Sequence, residues 1–352
     1  MTDSLGKRFP QLAAALPKST IADLPTPLER HELRTDNAVA PVLVKRDDLT
    51  SKLYGGNKVR KLEYLLRRAQ DRGAQRVATF GTVASNHALA TALFAGTHDL
   101  ACTCLLSHQT KTPKAPLALN MHLKIGSEIV RYGGARASRV QTMRQTLQHR
   151  QTWVIPMGGS NWLGTVAFVN AALELCDQLQ EAQLDIPDRV YVANGTMGTA
   201  AGLALGFALA KVATQVHAVR VTHDFVSNPE KMQRLLEKTA LLMRRMDTTI
   251  PDDLAARSKV VYRDSFFAGG YAHTNSETDA AIEHARDQLG LVLDTTYSGK
   301  AMAALLHDVA DKDMVNSNLL FWNTHNSRVL PVSSEQPADT SALPEEFLRY
   351  YV

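Results

Sequence analysis

Lys58 has the setting in this chain that most invites chemistry. It follows Gly55-Gly56-Asn57 and opens the amphipathic run Val59-Arg60-Lys61-Leu62-Glu63-Tyr64-Leu65-Leu66. A lysine just after flexible glycines, at a helix start, lies near the positive end of the helix dipole. Burial and that dipole both lower an amine's pKa, which is what an amine needs to act as a nucleophile. Standing alone, the same run also describes a solvated lysine.

Two more short runs place polar groups where a strand passes into a helix. Asn194-Gly195-Thr196-Met197-Gly198-Thr199 follows a strand-like stretch at 190–193. Glycines there let backbone N–H groups turn toward an anion, the helix start adds partial positive charge, and the threonine hydroxyls add donors. No Lys-Ser/Thr pair follows the second glycine, and no G-x-G-x-x-G is present, so neither a nucleoside triphosphate nor a dinucleotide is indicated. A single compact phosphate fits, and so does a tight turn with no ligand. The second run, Ser85-Asn86-His87, sets a hydroxyl, an amide and an imidazole at another helix start. These can bind a carboxylate or a ring hydroxyl, or Ser85 can simply cap the helix.

The elements that must position these groups alternate along the chain. Strand-like stretches fall at 76–80, 101–106, 128–132, 153–156, 189–193, 215–222, 259–263 and 318–322. Helical patterns fall between them, at 85–95, from Thr112-Pro113, and at 163–179, 199–212, 230–245, 277–289 and 299–309. Such alternation implies right-handed crossovers and a mostly parallel sheet, with ligands at the carboxyl ends of the strands. The first 25 or so residues and the tail at 333–344 are polar and proline-rich, which predicts segments wrapping the surface.

The chain has 352 residues, 45% hydrophobic and 21% charged, with a formal charge of +4. A chain of that length suggests two domains and a sizeable core. Its basic residues form no run suited to nucleic acid, and the most apolar stretch, 200–210, is too short to span a bilayer. Cys102, Cys104 and Cys176 are expected as reduced core residues, Cys102 and Cys104 on one face of a strand. With Met1–Pro10 polar, no signal peptide is read, and a cytoplasmic protein is expected.

Together the runs resemble the fold type II pyridoxal-phosphate enzymes, and within them the family of D-cysteine desulfhydrase and 1-aminocyclopropane-1-carboxylate deaminase. The resemblance rests on Thr26-Pro27-Leu28, Lys45-Arg46-Asp47-Asp48-Leu49, Gly55-Gly56-Asn57-Lys58 with Arg60-Lys61-Leu62-Glu63, and Ser85-Asn86-His87. It continues through Gly158-Gly159-Ser160-Asn161, the 194–199 loop with Ala201-Gly202-Leu203, Gly269-Gly270-Tyr271, and Leu293-Asp294-Thr295-Thr296-Tyr297-Ser298-Gly299-Lys300-Ala301-Met302.

The resemblance implies a tryptophan-synthase-β-like α/β fold of two domains, each a mostly parallel twisted sheet flanked by helices. Residues 1–60 and 165–352 would form the larger, cofactor-binding domain and 61–164 the smaller, with the active site between. Lys58 would carry pyridoxal 5'-phosphate and later act as base. Gly195, Thr196, Met197, Gly198 and Thr199 would bind the phosphate, with Lys61 beside them. Asn86 would meet the ring's phenolic oxygen and Thr324 its pyridine nitrogen. Ser85, Asn86, His87 and Tyr297 would contact substrate, with Ser85, Tyr271 and Tyr297 catalytic. No metal is implied; a homodimer is.

A neutral threonine cannot hold the pyridine nitrogen protonated as a carboxylate can, so the ring would be a weaker electron sink. Prompt loss of a leaving group then suits the site better than transamination. The implied reaction is β-elimination and deamination of a small amino acid, D-cysteine or a relative, to a 2-oxo acid and ammonia. Ring opening of an aminocyclopropane acid, loss of sulfite from a cysteate-like acid, and a catalytically silent amino-acid sensor are the alternatives. Ser298 favours elimination, since the ring-opening members typically carry a glutamate there and the desulfhydrases a threonine. Two departures stand out. The run Asn323-Thr324-His325-Asn326 replaces a pair of glycines after the threonine, and the phosphate loop, with Thr196-Met197-Gly198, is poorer in glycine than in many relatives.

Overall fold

The computed structural model describes residues 3–35, 38–149, 151–311 and 317–351. Its ten strands, in chain order, are β1 (Leu28–Arg34), β2 (Val39–Lys45), β3 (Arg76–Thr82), β4 (Ala101–Ser107) and β5 (Glu128–Arg131), then β6 (Thr152–Ile155), β7 (Arg189–Asn194), β8 (Gln215–Arg220), β9 (Val260–Arg263) and β10 (Leu319–Trp322). They form two sheets, ordered β1-β2-β10-β7-β8-β9 and β5-β4-β3-β6. Every pairing is parallel except β1 with β2, which run antiparallel from Leu28 opposite Lys45 to Arg34 opposite Val39.

The smaller sheet lies wholly between residues 76 and 155. The chain enters that region through the helix Lys58–Asp71 and leaves it through Trp162–Glu181. The crossings are thus rigid helices, not linkers, and residues 60/61 and 164/165 both fall inside them. The two largely buried helices Trp162–Glu181 and Gly198–Leu209 pack closely because Gly202 and Gly206 of the second face the first. A Cβ on Gly202 would sit 2.5 Å from the Phe168 side chain, and one on Gly206 2.6 Å from Ala172. That contact fixes the start of the Gly198–Leu209 helix, where the 194–199 loop ends.

Two features, a hairpin and a helix, had no reading in the sequence. The β1–β2 hairpin pairs an edge strand of alternating charge, Leu-Glu-Arg-His-Glu-Leu-Arg, with one containing Pro41, so its pattern is that of an edge and not of a core strand. The helix Arg136–Gln148 buries only Thr146 and offers no apolar stripe to detect. The N-terminal segment corrects the surface-wrapping expectation. Two short helices, Ser4–Arg8 and Pro10–Ala15, insert Leu5 and Leu12 fully into the core. They are held by Leu5 N donating to Asn170 Oδ1 and Leu12 N to Asp247 Oδ2.

A buried ionic network locks the frame beneath Lys58. Arg60 pairs with Asp47 at 2.8 Å and with Glu174 at 2.9 Å, and Lys45 pairs with Glu174 at 2.7 Å. Trp322 Nε1 donates to Asp47 Oδ2 at 2.8 Å, and Thr26 Oγ1 to Asp47 Oδ1 at 2.9 Å. The network joins β2, the Lys58 helix, the Trp162–Glu181 helix and the end of β10. Arg60 lies two residues after Lys58, and Trp322 two before Thr324, so both expected cofactor residues hang from the same buried anchor.

Candidate active site

One cavity of about 900 Å³ collects the carboxyl ends of both sheets. Thr82 and Ser107 contribute from the smaller sheet, Asn194 from the larger, and Thr222 and Thr324 from just beyond β8 and β10. Parallel strands converge in this way because their carboxyl ends lead into helix starts. Lys58, Lys61, Ser85, Asn86, His87, residues 195–199, Tyr271, Tyr297 and Thr324 all line this cavity. Residues up to 266 apart in sequence are brought together there.

Lys58 projects from a loop that only glycine can build. A Cβ on Gly55 would lie 1.8 Å from the Asp48 carbonyl oxygen, and Gly56 has φ +96°. Asn326 Oδ1 accepts from Gly55 N at 2.7 Å. The departure at 323–326 therefore braces the lysine loop. Burial pushes the Lys58 amine down to about 8, against the opposing pull of Asp294. That leaves a substantial neutral fraction near physiological pH.

The anion cradle is more elaborate than a glycine loop. Ser160 Oγ and Thr196 Oγ1 lie 2.7 Å apart, Lys61 Nζ donates to Ser160 Oγ at 3.0 Å and to Gly158 O at 3.2 Å, and Asn57 Nδ2 donates to Thr199 Oγ1 at 2.9 Å. Met197 takes the left-handed conformation, φ 67°, that aims the following amides along the helix start. A Cβ on Gly198 would come within 2.9 Å of Lys61 Nζ, and one on Gly158 within 2.1 Å of Thr196 Oγ1. Burial, then the charge of Lys58, push the Lys61 amine well below its usual range. Among the described residues the hydrogen-bond acceptors of this buried amine are the neutral oxygens of Gly158 and Ser160, so a phosphate dianion would complete its pairing. The residues present fit pyridoxal phosphate.

At the neighbouring helix, Asn86–Gly96, Ser85 is the N-cap, its Oγ accepting from Ala88 N at 3.2 Å. The next residues leave first-turn N–H groups free for a carboxylate. Asn86 Oδ1 accepts from Tyr54 OH at 2.9 Å and from Lys114 Nζ. His87 shares a hydrogen bond between Nε2 and Thr79 Oγ1 at 2.9 Å, and burial holds it neutral. Across the cavity Tyr271 OH and Tyr297 OH are 2.6 Å apart. Burial raises both phenols, so both keep their protons. Lys300 Nζ donates to Phe267 O and Gly270 O, fixing the loop that delivers Tyr271.

The family model described as "Pyridoxal-phosphate dependent enzyme" matches residues 20–323. The chain belongs to this family. Among relatives of this pyridoxal-phosphate enzyme, D-cysteine desulfhydrase of Serratia proteamaculans is 33% identical over 329 residues, covering 91% of this chain and 97% of that one. The protein of the same name from Klebsiella pneumoniae is 33% identical over 323 residues, covering 89% and 95%. The crystal structure of an ACC deaminase homologue superposes with TM-score 0.75 at 26% identity, covering 93% of this chain and 95% of that chain. A fungal L-serine ammonia-lyase from Rhizomucor miehei shares the fold with TM-score 0.59 at 15% identity. The α/β architecture of two mostly parallel sheets is that of fold type II.

Four residues of this pyridoxal-phosphate enzyme's site had no assigned part in the sequence reading. Ser160 lay inside a quoted glycine run, and Tyr54 directly before Gly55; Lys114 gave no signal at all. Asp294 was quoted only as part of a motif, yet it lines the cavity and organises its wall, Oδ1 accepting from Tyr297 N and Ser298 N at 2.8 Å each. Although burial opposes it, His325 and Lys114 hold the Asp294 carboxyl well below the usual carboxylate range. The structure withdraws one residue from the substrate side: Ser298 is buried, and its hydroxyl is committed to Asp294 by two contacts, at 2.9 and 3.1 Å. Its side chain therefore supports the wall carrying Tyr297.

Proposed function

We propose that this lyase eliminates a β-substituent from a small D-amino acid such as D-cysteine, releasing a 2-oxo acid and ammonia. The observation that carries the reading is the pairing of a lysine lowered to about 8 with a protonated phenol pair across one cavity. The similarity to D-cysteine desulfhydrases along almost the whole chain supports the substrate class.

Pyridoxal phosphate, when bound, supplies a carbonyl for amines and an electron sink at the substrate's α-carbon. Lys58 would hold it, the 195–199 loop with Lys61 and Ser160 would bind its phosphate, and Thr324 would face its ring nitrogen. The substrate carboxylate would rest on Ser85 Oγ and the first amides of the Asn86–Gly96 helix, with His87 behind. That places the α-hydrogen for Lys58 Nζ to remove as general base. The Tyr271–Tyr297 pair would deliver a proton to the departing sulfur. A neutral Thr324 hydroxyl limits charge storage in the ring and favours prompt elimination.

The same reading divides the chain into a cofactor domain (1–60 and 165–352) and a smaller domain (61–164), and makes the enzyme a cytoplasmic homodimer. Free, buried Cys102, Cys104 and Cys176 suit a reducing compartment. Among the described residues no helix is long and apolar enough to cross a membrane.

The test is parallel assay of 2-oxo acid and ammonia release from D-cysteine, L-cysteine, D-3-chloroalanine, cysteate and 1-aminocyclopropane-1-carboxylate. D-Cysteine or D-3-chloroalanine should lead. Faster turnover of the cyclopropane acid or cysteate overturns the substrate assignment, and silence on all five overturns the activity.

A further inference from the structure

Asn86 is the lining residue whose orientation the structure settles most firmly. Its Oδ1 receives two donors, Tyr54 OH at 2.9 Å and the ammonium of Lys114. An ammonium only donates, so the carboxamide oxygen must face Lys114 and the –NH2 must face elsewhere. Asn86 lines the cavity, whereas neither Tyr54 nor Lys114 is among its lining residues. The pair therefore grips the amide from the protein side and leaves two N–H donors for whatever occupies the cavity.

Tyr54 is fully buried directly before the Gly55–Lys58 loop, and Lys114 begins the helix Lys114–Lys124 that follows β4. The Asn86 carboxamide thus ties the lysine loop to the smaller sheet. Burial pushes the Tyr54 phenol up, so it stays a donor. Donors on a carboxamide oxygen polarise the group and strengthen its N–H bonds toward an acceptor, and they do so more in a poorly hydrated site.

We propose that Tyr54 and Lys114 are positioning residues that aim and strengthen the Asn86 –NH2 as donor to the cofactor's phenolic oxygen, and thereby set the pH at which the enzyme-bound cofactor titrates. This rests on the reading that Lys58 carries the cofactor with Asn86 beside its ring oxygen. That oxygen and the Lys58-derived nitrogen share a proton. A stronger donor to the oxygen stabilises its anion and makes the shared proton easier to lose, so the titration midpoint falls. Charged or titratable groups facing this point include Lys61 from the Lys58 helix, His87 from the Asn86–Gly96 helix, Tyr271 with Tyr297, and Asp294 and His325 from the loops after residue 290. The proposed variants leave all of them in place.

The experiment is a spectrophotometric pH titration of the visible cofactor band in purified holoenzyme, without substrate. Lys114→Met should raise the midpoint by about one pH unit, since both the polarising donor and a nearby cation are lost. Tyr54→Phe removes only a hydroxyl, changes no charge, and should shift the midpoint in the same direction by less. Lys114→Arg, which keeps charge and donors, should stay near wild type. Tyr54→Phe keeps the test decisive if Lys114→Met folds poorly. Wild-type midpoints in the Lys114→Met and Tyr54→Phe proteins, or midpoints that fall, overturn the proposal while leaving the cofactor reading intact. A wild-type protein with no visible band, or with the cofactor on another lysine, overturns that reading and this proposal with it.

Discussion

Lys61 Nζ donates to Ser160 Oγ at 3.0 Å, and Ser160 Oγ lies 2.7 Å from Thr196 Oγ1, so the helix that carries Lys58 reaches the loop that would hold the phosphate. A buried amine whose acceptors among the described residues are neutral oxygens is a costly arrangement until an anion arrives. Lys61→Met should therefore weaken pyridoxal-phosphate binding by about 1.5–3 kcal/mol, or roughly 10- to 150-fold, without lowering the melting temperature of the cofactor-free protein. Equilibrium dialysis and thermal unfolding measure the two effects separately. Unchanged affinity would place the phosphate elsewhere.

Lys58 has its pKa lowered to about 8 by burial. Because the neutral amine attacks, the rate of cofactor uptake by stripped enzyme should rise about tenfold per pH unit below 8 and level off above it. Stopped-flow appearance of the visible band measures that profile. Borohydride reduction and peptide mapping should then find the pyridoxyl group on Lys58. A flat pH profile, or a label on Lys61 or Lys45, contradicts the assignment.

Strands and helices from residue 76 onward were legible because a doubly covered parallel sheet writes itself as apolar runs separated by longer amphipathic ones. The β1–β2 hairpin and the helix Arg136–Gln148 were not: β1 is a mostly charged edge strand, Pro41 interrupts the pattern of β2, and the helix buries only Thr146. The same division holds for the site. Lys58 and the 195–199 loop stand out in the sequence because the roles proposed for them depend on backbone shape, which glycines betray. Tyr54 and Lys114 act only through a fold-dependent contact with Asn86, from 32 and 28 residues away in sequence, and no local pattern announces that. Ser298 shows the reverse: its motif is visible in the sequence, but only packing shows that the hydroxyl turns to Asp294.

Glu174 is the acid that balances Arg60 and Lys45 in the buried network. Burial opposes its ionisation, yet Arg60 and Lys45 hold its carboxyl at about 2. A depressed folded-state pKa contributes stability above the unfolded value near 4.5, and that contribution disappears as pH falls toward 2. Glu174→Gln leaves two buried cations short of a charge and should cost about 3–5 kcal/mol at neutral pH. The loss should shrink steadily from pH ~4.5, where the unfolded chain begins to bind the proton, down to about 2, where the folded carboxylate binds it as well. Urea unfolding at a series of pH values measures the difference; a penalty independent of pH would mean that packing, not charge, is what Glu174 supplies.

The phenol pair allows the sharpest test of the reaction. Tyr271 OH and Tyr297 OH share one hydrogen bond at 2.6 Å, and Tyr271 OH has only a long 3.5 Å contact to Thr82 Oγ1. Two phenols hold two protons, and a single hydrogen bond between them uses one, so a second proton is available to the cavity. A departing thiolate near the pair would take it, whereas chloride leaves without protonation. Tyr297→Phe should therefore slow turnover of D-cysteine by about 10²–10⁴-fold, the usual contribution of a general acid, while D-3-chloroalanine loses far less. Tyr271→Phe should show the same asymmetry to a lesser or greater degree according to which hydroxyl faces the leaving group. Measuring kcat for both substrates in both variants separates proton delivery from mere packing. Equal losses on the two substrates would show that the pair orients substrate and does not protonate the leaving group.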